Sequence, residues 1–332
     1  MQNACLSGEL LWRRVSEVSE SAAASGALRQ FDTSTSTLWD ERLKVQALLS
    51  VAQNLQAKPS CSPAQSESEA RTTPQRSSNP FLPYEEALWV GHLSATHTLL
   101  LNKFCVTPDH VLVVTRAFEA QSDPLSAADL EATYQVVAAH PDDALAFYNS
   151  DALAGASQAH RHLQVLPLPL EAGPGGRSNA NERGEAGSRQ APYPTHPLLS
   201  ATSPAPSPVT ALPCVAFAAR LELLPHPPRL RGEVLLKTYR ALLNAAVAEA
   251  SLRCPAYPPP SPAGSPAAQP SHNLLFSRDR MALVLRGSSH AGSLAVNALA
   301  FAGTLFVKSE EQLVEAKQLG LWGVLQAAGV AC

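Results

Sequence analysis

Two histidines and a glutamine alternate along one short segment of the chain, which reads G-A-S-Q-A-H-R-H-L-Q over residues 155–164. In an extended strand, successive side chains point to opposite faces of the sheet. A strand over 160–168 therefore brings His160, His162 and Gln164 to one face and sets the intervening residues on the other. Two imidazoles and a carboxamide then converge on a common space, where they could act on one bound group.

The residues just before the first histidine are small or polar and predict a tight turn. They are Gly155, Ala156, Ser157 and Gln158. Such a turn can aim its backbone N–H groups at the oxygens of an anion. A neutral imidazole is nucleophilic near neutral pH and is also a good leaving group. A histidine on this strand could therefore attack a phosphorus atom that the turn and the carboxamide hold.

Three interpretations of the segment remain open at this point. In the first, the histidines only pack in the core or lie at the surface. In the second they bind a metal, although glutamine is a poor ligand and no nearby Asp, Glu or Cys completes a set. In the third the segment is a nucleotidyl-transfer site, which needs a Gly/Ser turn and a histidine on a rigid strand.

The surrounding sequence predicts short strands and helices without strict β-α-β alternation. Helical spacing or a capping box predicts helices over 8–27, from Ser126 to about Ala139, over 232–253, and after Ser309. β-type patterns predict strands over 88–101, 110–115, 145–149 and 160–168, and a hairpin over 272–286. This mixture predicts an α+β fold.

The composition narrows the class of protein. The 332 residues are 45% hydrophobic, enough for a sizeable core, and the formal net charge is −3, which gives no basic excess for binding nucleic acid. No apolar run is long enough to predict a membrane span. The six cysteines form no C-x-x-C pair, so we expect scattered reduced thiols and a cytoplasmic location.

Three segments are poor in bulky apolar residues and rich in Pro, Gly, Ser or Ala, namely 59–78, 171–213 and 255–270. Such a composition cannot bury enough surface to offset the entropy lost on ordering. We therefore predict three disordered insertions. They divide one catalytic domain over 1–332 into an N-terminal part, 1–170, and a C-terminal part, 214–332.

Several longer blocks, in order along the chain, resemble one known family. The segment over 155–164 resembles the H-x-H-x-Q motif of the histidine-triad superfamily. N-P-F-L-P-Y-E, L-N-K-F and V-T-R-A-F-E-A-Q within 79–121, and N-A-L-A-F-A-G over 297–303, resemble blocks of diadenosine tetraphosphate phosphorylases, also called ATP adenylyltransferases. The resemblance covers nearly the whole chain except the insertions. It implies a histidine-triad-like, mainly antiparallel sheet flanked by helices.

The resemblance also implies a role for each matching residue. His162 is expected to be the nucleophile, which attacks the α-phosphorus of the dinucleotide, expels ATP and carries AMP until phosphate releases it as ADP. His160 is expected to support the ring of His162 through its backbone carbonyl, and Gln164 to contact the transferring phosphate. The expected substrate and phosphate contacts are Lys58, Asn102, Lys103, Asn149, Gly155, Ala156, Ser157, Gln158, Asn297, Thr304 and Lys308.

The same resemblance implies the cofactors and partners. We expect a divalent cation, Mg²⁺, bound with the polyphosphate, and neither an organic cofactor nor a dedicated metal site. The expected partners are diadenosine tetraphosphate, ATP, ADP and phosphate, with no nucleic acid and no membrane, and the oligomeric state is open. Four aromatic residues, Phe81, Tyr84, Trp89 and Phe147, either flank an adenine or belong to the core.

The sequence departs from the family pattern at three places. Ser150-Asp151-Ala152 follows Asn149, Ala159 replaces a common proline, and Ala300 stands where glycine is usual. Asp151 places a negative charge near the expected polyphosphate, which weakens binding unless a cation offsets it.

Two alternative functions remain open. The first is another nucleotidyltransferase or nucleotide-sugar phosphorylase of the superfamily, and the second is a non-catalytic nucleotide sensor.

Overall fold

The computed structural model describes residues 8–29, 33–43, 45–52, 79–105, 107–168, 198–222, 227–254, 257 and 269–331. Its helices are α1 (Glu9–Ala24), α2 (Ala127–Ala139), α3 (Pro228–Arg253), α4 (Ala298–Phe301) and α5 (Glu310–Ala328), with a short 3-10 helix at Glu86–Leu88. Among these residues no helix is both long and apolar enough to cross a membrane.

Fourteen strands lie within the described ranges. They are β1 (Thr33–Asp40), β2 (Val45–Ala52), β3 (Trp89–His92), β4 (His97–Leu101), β5 (Val111–Thr115), β6 (Asp143–Asn149), β7 (His162–Leu168), β8 (Ser207–Pro208), β9 (Ala216–Arg220), β10 (His272–Phe276), β11 (Arg280–Leu285), β12 (His290–Ala291), β13 (Leu294–Ala295) and β14 (Thr304–Val307).

Nine of these strands form one antiparallel sheet in the order β3-β4-β5-β7-β6-β10-β11-β9-β8. β6 from the N-terminal part pairs directly with β10 from the C-terminal part, so both parts contribute to the same sheet. A second sheet has the order β1-β2-β14, in which β14 runs parallel to β2. The prediction of an α+β fold with a mainly antiparallel sheet is confirmed.

Helices α1, α2 and α3 cover one face of the large sheet. Their buried side chains pack against Leu163 and Val165 of β7 and against neighbouring residues of β6, β10 and β11. The capping box that predicts α2 is formed, since Ser126 accepts from the backbone of Asp129 and the Asp129 side chain accepts from the backbone of Ser126. We call this side of the sheet the helical face.

The opposite face carries two separate apolar clusters. On β6, β10 and β11 it packs against the small sheet, α4 and α5, and Leu166 of β7 belongs to this cluster. On β4 and β5, Leu100, Leu112 and Val114 form a smaller cluster with Phe81, Tyr84 and Trp89. Because His162 and Gln164 share a face with Leu166, they lie on a strip between the two clusters.

The predicted insertion boundaries need one correction. Residues 198–213 are ordered, because Leu198 and Leu212 are buried in the core and β8 pairs with β9. Few apolar anchors suffice to hold this proline-rich stretch against an existing sheet. In the third insertion Gln269 donates to the Tyr239 hydroxyl. Residues 257 and 270 of this insertion are described as well, whereas 59–78, 171–197, 255–256 and 258–268 lie outside the described residues.

The cysteines also correct one expectation. Cys105 and Cys214 are free thiols, as expected. Cys254, which follows the last residue of α3, is instead disulfide-bonded. Spacing along the sequence gave no signal for this bond, because cysteines that are far apart in sequence can meet in space.

Candidate active site

His162 occupies the first position of β7, with its side chain held in a single tautomer. Its Nδ1 lies 2.8 Å from the backbone oxygen of His160. A carbonyl oxygen only accepts, so Nδ1 is protonated, and in the neutral ring Nε2 carries the lone pair. The residue is buried, at 4% exposure. In the neutral ring, the nitrogen that could attack a phosphorus atom is therefore Nε2, and the hydrogen bond of Nδ1 fixes its direction.

Gln121 secures the backbone around this histidine. Its Oε1 accepts from the backbone N–H of His162 at 2.8 Å, and its Nε2 donates to the backbone oxygens of His162 and Asn149 at 3.2 and 2.7 Å. Phe147 pairs with Gln164, so Asn149 and His162 stand across from each other two residues further along. The carboxamide thus joins β6 to β7 where their ladder ends.

His160 lies just before β7, and it contacts His162 through its backbone oxygen. Its Nε2 donates to the Thr115 carbonyl oxygen at 2.8 Å, and its Nδ1 has no partner among the described residues. Burial lowers the pKa of His160, and the charge of Arg161 lowers it further, so the ring is neutral near pH 7. The Phe81 ring lies 5.5 Å from the His160 ring and 6.0 Å from the His162 ring. Both histidines therefore face the same side, as predicted.

Gln164 ends a chain of side-chain hydrogen bonds. The Asn102 amide nitrogen lies 3.2 Å from His110 Nδ1, and His110 Nε2 lies 2.9 Å from Gln164 Oε1. The amide oxygen only accepts, so His110 donates through Nε2 and accepts from Asn102 through Nδ1. This arrangement turns the Gln164 NH₂ group away from His110. The half-buried amide can then donate to a phosphoryl oxygen.

On the helical face, Arg161 is fixed by a buried network. It pairs with Asp129 at 3.2 Å and with Glu119, and the Asp129 carboxylate also accepts from His97 Nε2 at 2.9 Å. Burial alone would raise the pKa of Asp129, but the hydrogen bonds from His97 and Ser126 and the charge of Arg161 lower it. Asp129 lies in the first turn of α2, so the N-terminus of this helix holds Arg161, the residue between the two histidines, in place.

The turn that connects β6 to β7 packs against the N-terminus of α4. Gly155 has φ +92°, and a Cβ there would lie 2.7 Å from the Val296 oxygen and 3.0 Å from Cα of Asn297. Glycine is required both for this dihedral angle and for the close approach. In the turn, Ala156 is half-buried, Ser157 is exposed and Gln158 is half-buried. We refer to residues 155–158 as the 155–158 turn.

Asn149 and Asn297 hold this region together through their side chains. Asn149 Oδ1 accepts from Asn273 Nδ2 at 2.8 Å and from the Ala298 backbone at 3.0 Å. Asn297 caps α4, because its Oδ1 accepts from the Leu299 N–H at 3.0 Å. Both predicted substrate residues therefore adjoin the 155–158 turn, and each has a structural hydrogen bond of its own.

Other predicted contacts lie elsewhere. Lys103 is paired with Glu85 at 2.7 Å, beyond the end of β4 that is opposite His97 and His162. Thr304 begins β14 in the small sheet, and Lys308 is exposed just before α5. The structure does not bring these three residues to the strip that holds His162. Lys58 lies outside the described residues.

The predicted aromatic residues separate into two groups. Phe81, Tyr84 and Trp89 border the small cluster beside His162 and Gln164. Asn79 positions Phe81, because its Oδ1 accepts from the Phe81 N–H at 2.9 Å and its Nδ2 donates to the Arg116 oxygen at 3.3 Å. Phe147 is 1% exposed and belongs to the core.

Three residues that position this site were not predicted as site residues. Gln121 lies in the F-E-A-Q block, whose family likeness was the available signal. His110 and Asn273 act through partners 54 and 124 positions away, Gln164 and Asn149 respectively. No local pattern in the sequence marks such pairs.

Comparison with known proteins agrees with the family resemblance. The family model for the Ap4A phosphorylase N-terminal domain matches residues 1–176, where Ap4A denotes diadenosine tetraphosphate. This match covers more than half of the chain. The chain belongs to the Ap4A phosphorylase family. The model for the ATP adenylyltransferase C-terminal domain matches residues 210–331, so the two family matches cover both parts of the chain.

Two proteins of Saccharomyces cerevisiae are similar in sequence to this member of the Ap4A phosphorylase family. Protein APA1 is 32% identical over 165 residues, 47% of this chain and 48% of that protein. Diadenosine 5',5'''-P1,P4-tetraphosphate phosphorylase 2 is 29% identical over 173 residues, 48% of this chain and 51% of that protein. The chain thus spans about half the length of the curated relatives it matches.

Solved structures extend the family likeness over the whole fold. Yeast Ap4A phosphorylase Apa2 in complex with Ap4A gives a TM-score of 0.69 at 22% identity, covering 98% of this chain and 99% of that one. The complex of Apa2 with AMP gives a TM-score of 0.71 at 20% identity, with the same coverage of both chains. This likeness shows that the two proteins share their fold.

Proposed function

We propose that this chain catalyses the phosphorolysis of Ap4A to ATP and ADP, and the reverse adenylyl transfer, through an AMP-histidine intermediate on His162. The observation that carries the proposal is the hydrogen bond from His162 Nδ1 to the His160 carbonyl oxygen, at 2.8 Å. It leaves the lone pair on Nε2, beside an amide donor and a glycine turn. Family membership and the names of the yeast relatives support the same activity.

The first step forms a bond between His162 Nε2 and the α-phosphorus of Ap4A. The bond from that phosphorus to the bridging oxygen breaks, and ATP leaves with the bonding electron pair. The Gln164 NH₂ group donates to an oxygen of the transferring phosphoryl group, where negative charge increases in the transition state. His160 keeps the attacking ring in its tautomer.

The second step returns the enzyme to its starting state. An oxygen of inorganic phosphate attacks the phosphorus of the AMP-histidine, the P–N bond breaks, and ADP is released. The lone pair returns to Nε2, so no proton has to be stored between the two steps. In reverse, ADP loads AMP on His162 with loss of phosphate, and ATP then accepts the AMP. Two displacements replace one difficult step.

We also propose which surfaces hold the substrate. The cluster bordered by Phe81, Tyr84 and Trp89 offers an apolar surface for an adenine beside the reacting phosphorus. The 155–158 turn, close to Asn297, offers backbone N–H groups for phosphate oxygens.

A divalent cation, Mg²⁺, belongs to the same proposal. The described residues contain no group of three or more His, Cys, Asp or Glu side chains that could hold a metal ion. We propose that the cation is carried by the polyphosphate, whose charge it neutralises. We further propose a cytoplasmic location, which the composition supports and which fractionation of the source cells would test.

The decisive experiment incubates the protein with Ap4A and Mg²⁺, with and without phosphate, and identifies the products. With phosphate we expect repeated turnover to ATP and ADP in equal amounts, and without phosphate at most one ATP per protein molecule and no ADP. Two molecules of ADP without phosphate would indicate a symmetrical hydrolase, and binding without products would indicate a sensor. Faster turnover of a nucleotide sugar would favour the other transferases of the superfamily.

A second measurement tests the intermediate. Adenine-labelled Ap4A without phosphate should label the wild-type protein and release ATP, and the label should be acid-labile, as a P–N bond is. His290, which is exposed on β12, provides a matched control, because His290→Ala should be labelled normally and His162→Ala should not. Label that persists in His162→Ala would overturn the assignment of the nucleophile.

A further inference from the structure

Arg286 is a buried arginine whose five N–H donors are all used. Its Nε donates to the Ala328 oxygen at 3.1 Å. Its Nη1 donates to the oxygen of Ala154 and to Oδ1 of Asn273, and its Nη2 donates to the oxygens of Ser288 and Val296. The residue is 3% exposed. Such complete pairing fixes the guanidinium in one position.

All five acceptors of Arg286 are neutral oxygens. Burial lowers the pKa of Arg286 to about 10, so the side chain stays charged at neutral pH. A buried charge is normally paired with an opposite one. Here the carboxylate whose charge acts on Arg286 is Asp151, which does not bond to it directly.

Both charges are fixed behind the 155–158 turn. Two acceptors of Arg286, Ala154 and Val296, immediately precede Gly155 and Asn297, which contact each other. The Asp151 side chain accepts from the Ala154 N–H at 2.8 Å and from the Ser271 hydroxyl. A cation and an anion therefore lie at set positions next to the turn.

We propose that Arg286 and Asp151 are positioning residues of opposite effect, which set the affinity of the 155–158 turn according to the charge of the bound phosphate chain. This inference rests on the proposed function, because that function places phosphate at the turn. Arg286 favours each added negative charge and Asp151 opposes it. The pair therefore helps to determine how strongly the site distinguishes AMP, ADP and ATP.

The sharpest test is Asp151→Asn. The variant keeps both hydrogen bonds, because the amide oxygen accepts from Ala154 and the amide nitrogen donates to the Ser271 oxygen, and it removes only the charge. Calorimetric titration measures the Kd values of AMP, ADP and ATP. It is done in the His162→Ala background, in which turnover is prevented. We expect Kd to fall about 3-fold for AMP and about 10-fold for ATP at low salt, with smaller changes at high salt.

The matched control is Asp142→Asn, since Asp142 is exposed just before β6, at its far end from the turn. It should leave all three Kd values unchanged. Arg286→Met should weaken ATP more than AMP, whereas Arg286→Lys, which keeps the charge, should weaken the three nucleotides alike. If an Arg286 variant fails to fold, the Asp151→Asn series still decides the matter.

The outcomes separate this inference from the proposed function. Graded binding without phosphorolysis by the wild-type protein would support the charge pair and overturn the proposed activity. An equal change for all three nucleotides, or none, in Asp151→Asn would overturn the charge pair and leave the activity standing. If the His162→Ala chain binds none of the three, both fail.

Discussion

The two sides of His162 are built in different ways. On the β5 side, Asn102 and His110 form a chain of hydrogen bonds that ends on Gln164, a half-buried amide. On the β10 side, the donors of Asn273 and Arg286 end on internal oxygens, which include the backbone carbonyls of four residues. Under the proposed function, the first side aims a side chain at the reacting atoms, and the second shapes a backbone turn. Changes on the β5 side should therefore lower kcat, and those on the β10 side should raise KM.

The largest expected effect lies between the two sides. His162→Ala removes the proposed nucleophile, so the proposed phosphorolysis should fall by roughly 10³-fold or more while nucleotide affinity stays within a few-fold. Steady-state rates and calorimetric titration measure the two quantities. His290→Ala should keep both. Substantial residual turnover in His162→Ala would show that another group attacks phosphorus.

The next largest effect is on stability and concerns the β10 side. His272 is fully buried, donates to the Pro270 oxygen from Nδ1 and accepts from the Tyr239 hydroxyl at Nε2. Burial lowers its pKa to about 4 from 6.5. Below about pH 6.5, His272 therefore binds a proton in the unfolded chain but not in the folded chain. The free energy of unfolding decreases as the pH falls through this range.

As the pH falls from about 7.5 to about 5, the titration of His272 alone should lower the free energy of unfolding by about 2 kcal/mol. His272→Gln, which can still donate to Pro270 and accept from Tyr239, should remove that share of the pH dependence. Denaturant titration at both pH values measures the difference. An unchanged pH dependence in the variant would contradict the neutral, buried state of His272.

A smaller effect is expected from the β5 side. His110→Phe breaks the chain of hydrogen bonds that orients Gln164, so kcat should fall about 10- to 100-fold with little change in KM. Asn102 acts through His110 in this chain, and Asn102→Ala should therefore add little once His110 is replaced. Fully additive losses in kcat would mean that Asn102 acts separately, as a substrate contact would.

The smallest effect concerns the 155–158 turn. Gly155→Ala adds a Cβ at 2.7 Å from the Val296 oxygen at a positive φ, so KM for Ap4A should rise about 10-fold with a lesser change in kcat. Gly26→Ala is the matched control, because Gly26 has φ +72° but open space around it. A kcat that falls while KM is unchanged would break the contrast between the two sides.

Much of the fold could be predicted from the sequence, because local patterns determine its elements. Amphipathic spacing, the Ser126 capping box and the apolar runs of β4, β5, β10 and β11 all give signals that depend only on near neighbours. Family membership and the mainly antiparallel α+β fold are confirmed. The roles assigned to the site residues stay predictions.

What the sequence did not indicate depends on contacts between distant segments. No prediction was made for β1 and β2, which form the small sheet with β14 from the other end of the chain. The contacts that Arg286 makes with distant backbone oxygens are visible only once the fold is known. Residues 198–213 were predicted to be disordered from their composition, although the buried Leu198 and Leu212 and the pairing of β8 with β9 dock them.

The pairing of β6 with β10 has a consequence for synthesis of the chain. As the polypeptide leaves the ribosome, β6 emerges more than a hundred residues before β10, and until then one edge of β6 lacks its final partner. An open strand edge is a template for incorrect pairing with other chains. Until the C-terminal part completes the sheet, we therefore expect aggregation of a truncated chain to begin at this edge of β6.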